Sequence, residues 1–87
     1  MRFAEFAGNH PWALIILKSE LLLRIVEYLE EEKSVEELLE QLKQLTRDDV
    51  ERALRALGSL GVVKEKGGKY VLSDLGKRFL KIYRKTF

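Results

Sequence analysis

A mostly helical domain carrying one small β-hairpin is the fold class this sequence predicts. Three observations carry it. Apolar residues recur at helical spacing through most of the chain, two S/T-x-x-[DE] motifs punctuate it, and Gly67-Gly68 separates two short runs rich in lysine and valine. With 87 residues the chain is expected to form a single domain, residues 1–87, and 46% hydrophobic residues suffice for a core.

Residues 1–10 offer Phe3 and Phe6, expected to pack on a neighbour. Asn9-His10-Pro11 predicts a helix start, with Asn9 as cap and proline in the first turn. Residues 12–32 read as helical. At about 100° per residue, Leu14, Leu17, Leu21, Leu22, Ile25, Tyr28 and Leu29 share one broad face, with Lys18 near its middle. Either Ser19 caps a fresh helix over 20–32, with 12–17 a separate short element, or one helix runs through and Lys18 snorkels outward. This region is apolar around more of its girth than a small monomer needs, which predicts a homodimer contact through residues 3–29, with Tyr83 and Phe87 as further candidates. Residues 1–18 are accordingly read as an N-terminal extension on a core of 19–85.

Ser34-Val35-Glu36-Glu37 has the form of a capping box, in which each end satisfies the other's amide. It opens a short helix whose inward positions are Val35, Leu38, Leu39 and Leu42. Thr46-Arg47-Asp48-Asp49 repeats the device, and Val50, Ala53, Leu54 and Leu57 form the stripe of the helix it starts. Two capped helices parted by Lys43-Gln44-Leu45 make a helix-turn-helix unit. Gly61 supplies the left-handed residue on which helices commonly end.

Val62 to Lys66 and Lys69 to Leu72 read as strands around a two-residue primed turn, setting Lys66 opposite Lys69 and Lys64 opposite Val71. Like charges in register weaken a hairpin, and a nearby polyanion relieves that cost. Ser73 or Asp74 caps a last helix with Leu75, Phe79, Ile82 and Tyr83 on one side. Lys77, Arg78, Lys81, Arg84 and Lys85 occupy much of the rest, either as a solvated face or as a nucleic-acid contact.

Net charge is +2, but residues 1–43 hold five Lys/Arg against nine Asp/Glu (−4) and residues 44–87 hold eleven against five (+6). Such asymmetry suggests one face that meets a polyanion. Cysteine is absent and His10 is the only histidine, which removes disulfides, thiol nucleophiles and a multi-histidine metal site. No nucleophile–base pair or phosphate-cradling loop stands out, so neither an enzyme nor a cofactor is expected. The longest apolar run, Trp12 to Leu17, is far short of the ~20 residues of a membrane span and too close to Lys18 and Glu20 for a signal peptide. A cytoplasmic protein is the simplest expectation.

Two segments resemble the winged helix-turn-helix transcription regulators of bacteria and archaea, of the broad MarR/ArsR-like type. TRDDVERALRALGSLGVV (46–63) is similar to that family's recognition helix and its exit, and KYVLSDLGKRFL (69–80) to its second wing strand and following helix. With the preceding helix the likeness covers roughly residues 20–80. It implies sequence-selective binding of double-stranded DNA as a dimer, with helix 46–59 in the major groove and wing 62–72 on the backbone or minor groove. By that resemblance Arg52 takes the place of an arginine that reaches DNA, and Thr46, Arg47, Arg55 and Ser59 lie on or beside the same surface. Lys64, Lys66 and Lys69 fall on the wing. Asp48, Asp49 and Glu51 depart from this pattern: residues 44–60 hold three arginines and three acids. Acids at a helix start suit its dipole, and at helical spacing they can pair with Arg52 and Arg55, yet they repel phosphate. A protein-docking module within a transcription or replication complex is therefore the alternative function.

Overall fold

The computed structural model describes residues 2–87; the first residue of the expected N-terminal extension lies outside them. Six helices and one two-stranded antiparallel sheet run in the order α1 (Phe3–Asn9), α2 (Trp12–Lys18), α3 (Glu20–Tyr28), α4 (Val35–Gln41), α5 (Arg47–Ser59), β1 (Val63–Lys66), β2 (Lys69–Leu72) and α6 (Asp74–Thr86). The mostly helical class with a small hairpin is thus the observed one.

The helical stretch 12–32 breaks at Ser19. Its backbone is extended, and its hydroxyl accepts the Leu22 N–H at 3.2 Å, so α3 begins there and Lys18 closes α2, exposed. Residues 3–9 correct the sequence reading: they form a helix of their own, and Asn9 is its last residue instead of the cap of the next one. Pro11 takes the N-cap position of α2 without a side-chain cap bond. The reason is aromatic packing. Phe3 and Phe6 are buried, with Phe3 6.0 Å from Phe79 and Phe6 5.7 Å from Trp12 in edge-to-face contact, geometries that add to the burial of their surface. His10 lies 4.5 Å from the Phe6 ring.

One core runs through all of this. Ile16, Ile25, Val26, Leu29, Leu38, Val50, Leu57, Val62, Leu72 and Phe79 are buried, and no polar or charged side chain among the described residues is. The radius of gyration is 12.4 Å, against about 12 Å expected for a folded chain of this length, so α1 and α2 fold back onto α6 and α3 rather than project. Most of the apolar excess of the N-terminal region is therefore taken up within the chain, leaving Leu14 and Ile15 exposed.

The capped helices are as the motifs require. Ser34 and Glu37 close one capping box, Thr46 and Asp49 the other. Both acids sit below their ordinary range, chiefly because each carboxylate accepts the backbone N–H of its cap residue. The hairpin is tied down on its β2 side. Lys33 and Tyr70 exchange both backbone hydrogen bonds, at 2.9 and 2.8 Å, and the Leu72 N–H donates to the Leu29 carbonyl at 3.0 Å. This bridge, with one residue of the 29–34 connection acting as a fragment of third strand, has no signature in the sequence.

Candidate nucleic-acid interface

α5 owes its orientation to its stripe of Val50, Ala53, Leu54 and Leu57, all buried, which leaves Asp48, Arg52, Arg55, Ala56 and Ser59 on the outer side. Gly61 (φ +78°) then turns the chain, and the Val62 N–H bonds back to the Leu57 carbonyl at 3.1 Å, so the hairpin starts against the end of α5. Gly67 and Gly68, at φ +60° and +83°, make the tight primed turn that the register demands.

That register sorts the hairpin into two chemically different faces. Pairing sets Val63 opposite Leu72 and Glu65 opposite Tyr70 on one side; Lys64 opposite Val71 and Lys66 opposite Lys69 fall on the other. A shallow groove between α5 and the hairpin is lined by Leu54, Arg55, Gly58, Val63, Glu65 and Tyr70. The side facing α5 thus carries an acid and a tyrosine, while all three lysines occupy the opposite face. They form a continuous basic patch, exposed throughout, with Glu32 4.0 Å from Lys66 and the Glu37 carboxylate within electrostatic reach of Lys69.

On α5 the three acids each have a local partner. Asp49 is in the capping box, where the Thr46 N–H donates to it at 3.0 Å. Asp48 pairs with Arg52 across one turn. Glu51 lies 3.8 Å from Arg47, which also bonds Glu36 of α4 at 2.6 Å. The Arg47 guanidinium holds the Glu36 carboxyl below its ordinary range, and Glu36 in turn raises Arg47. Arg47 therefore staples α4 to α5. Of the three arginines on α5, only Arg55 has no ion pair among the described residues. Thr46 is occupied as a cap, and the Ser59 hydroxyl donates to the Ala56 carbonyl at 2.8 Å.

The residues singled out in the sequence thus fall into three groups. Arg55, with Arg52 one turn before it, lies on the outer side of α5, and Lys64, Lys66 and Lys69 share the far face of the hairpin. Thr46, Arg47 and Ser59 serve the helix itself. Sequence reasoning missed the Arg47–Glu36 pair because it joins residues eleven apart on different helices. Among the described residues no cluster of three or more His, Asp or Glu is arranged to hold a metal ion, and no helix is long and apolar enough to cross a membrane. A scan against protein-family models, a search of curated proteins and a search of solved structures each return no match.

Proposed function

We propose that this chain is a winged helix-turn-helix domain that binds double-stranded DNA as a dimeric transcription regulator. The observation that carries the reading is the lysine face of the hairpin. Lys66 and Lys69 oppose each other beside the turn with Lys64 on the same face, an arrangement that costs stability until a polyanion neutralises it. In this reading the three lysines hold phosphates and supply affinity, while α5 supplies selectivity at base edges. Arg55 is the residue free to read a base. Arg52 joins it by exchanging Asp48 for the DNA. The second copy joins through a surface that includes Leu14 and Ile15, exposed by 43% and 58%.

The test is salt-dependent binding to duplex DNA. Each phosphate contact contributes about 0.9 to the slope of log affinity against log salt, so Lys64→Gln, Lys66→Gln and Lys69→Gln together flatten it by two to three units. An unchanged slope removes the wing from the interface. Sedimentation of Ile15→Glu against the parent chain tests the dimer; a monomeric parent chain sinks it.

A docking module for another protein is the second reading. It is favoured by the start of α5, where Arg47 and Arg52 are matched by Glu36, Asp48 and Glu51 and little net charge faces outward. Absence of DNA binding at low salt, together with a stoichiometric partner purified with the native protein, would establish it instead.

A further inference from the structure

The basic charge of α6 is not accounted for by α5, the hairpin or the dimer contact. This helix holds five cations against one acid, Asp74. Two of the five have structural work. Arg84 forms a two-pronged bond to Glu30, both contacts at 2.7 Å, and the guanidinium of Arg78 stands 5.9 Å from the centre of the Phe6 ring. The remaining three, Lys77, Lys81 and Lys85, follow one another at intervals of four residues and so form one stripe, all exposed and none in an ion pair among the described residues.

Helix chemistry favours Lys85, a cation in the last turn, but not the stripe as a whole. Like charges four apart weaken a helix, and Lys77 lies near the helix start, where the dipole disfavours a cation. Glu30, which shares an open hollow with Lys77, Lys81 and Lys85, already has both carboxylate oxygens on Arg84. Nor is the stripe an extension of the hairpin patch. The three glutamates 30–32 intervene, paired in turn with Arg84, Lys33 and Lys66, so an acidic segment divides the two basic surfaces.

The partner follows from what surrounds the charges. A basic amphipathic helix that binds membranes inserts its apolar side; in α6 that side is Phe79, Leu80 and Ile82, buried in the core. What remains is a row of point charges that winds slowly round the helix and rises about 12 Å along it, at 1.5 Å per residue. Each strand of a duplex carries one phosphate per ~3.4 Å of helix axis, so a row laid parallel to that axis passes three or four of them. We propose that Lys77, Lys81 and Lys85 form a second DNA-backbone contact, independent of α5 and the hairpin, which lets one domain touch two stretches of duplex.

The test compares binding of a mixed-sequence duplex across a salt series for the parent chain, Lys77→Gln/Lys81→Gln/Lys85→Gln, the corresponding triple arginine variant, and the hairpin triple glutamine variant. The proposal expects the α6 glutamine variant to flatten the salt slope by two to three units at ~0.9 per phosphate, and the arginine variant to keep it. The single variant Lys81→Gln should flatten it by about one. A flattened slope for the α6 variant with no change for the hairpin variant supports this proposal while sinking the assigned role of the wing. An unchanged slope for the α6 variant beside a flattened one for the hairpin variant overturns this proposal alone. Absence of duplex binding at low salt, or equally tight binding to vesicles of acidic phospholipid, overturns it as well.

Discussion

Gly76 and Gly58 both lie within helices, and the same substitution to alanine is expected to act on them in opposite directions. A Cβ at Gly76 overlaps the Val62 carbonyl oxygen and also stands 3.0 Å from Val62 Cγ1 and 3.2 Å from Leu72 Cδ2. The first obstacle is backbone, so no side-chain rotation relieves it. The start of α6 has to move off the 61–62 segment, to which it is tied by the Ser73 N–H donating to the Val62 carbonyl at 2.9 Å and by the Ser73 hydroxyl donating to the Gly61 carbonyl. Overpacking of this kind costs about 1–3 kcal/mol, and each weakened hydrogen bond adds about 1 kcal/mol. Alanine's better helix propensity returns up to ~1 kcal/mol. Gly76→Ala should therefore destabilise by about 2–4 kcal/mol, a fall in melting temperature of roughly 8–30 °C for a domain of this size. At Gly58 the nearest atom to a new Cβ is the Val63 carbonyl oxygen at 4.0 Å. There alanine makes only an ordinary van der Waals contact and should stabilise by about 0.5–1 kcal/mol. Thermal and urea unfolding of both variants decide the matter. A Gly76→Ala protein as stable as the parent chain, or one no less stable than Gly58→Ala, would refute the claim that α6 is seated by backbone contact at this glycine.

Three further outcomes can be checked on the same protein. The carboxyls of Glu30, Glu36, Glu37 and Asp49 are all held below their ordinary range, by Arg84, by Arg47, by the Ser34 amide and by the Thr46 amide respectively. The unfolded chain thus takes up protons before the native one does, and their stabilisation is complete above ordinary carboxylate values of ~4 and lost as pH falls through and below them. Melting temperature should decline between about pH 5 and pH 3, and a flat profile there would contradict these pairings. Thr46→Ala removes the cap of α5 and should cost ~1 kcal/mol in denaturant unfolding; a change under a few tenths would show the cap to be idle. On DNA, Arg55→Ala should cost ~1–3 kcal/mol and relax sequence preference, with Arg52→Ala costing less because Asp48 competes for that guanidinium. The reverse order in a binding titration would show that Arg52, not Arg55, reads the base.

Local signals carried much of the fold. Ser34 and Thr46 cap the helices that follow as their motifs predict, since a cap depends only on residues within one turn of it, and of the alternatives left open Ser19 and Ser73 proved to be caps. The register of the hairpin followed from Gly67-Gly68, because a two-residue turn admits one pairing. The helix at 3–9 was not predicted: Phe3, Phe6 and Ala7 have helical spacing and are the residues it buries, but so short a segment carries little weight until its partners are known. Those partners, Phe79 and Trp12, come from other helices.

Packing settled α1 and the break at Ser19, but the capped starts of α4 and α5, the hairpin register and the charge of each element could be read from the sequence. These are properties of neighbours along the chain. Which charges are spoken for was settled by packing in three dimensions. It committed Arg47 to Glu36 and Arg84 to Glu30, partners 11 and 54 residues away, and left Arg55, Lys64 and the stripe of α6 without an ion pair among the described residues. It also set Glu65 and Tyr70 toward α5 and the hairpin lysines away from it. Electrostatic pairing depends on distance in space, and the core packing that fixes those distances is formed by residues far apart in the chain.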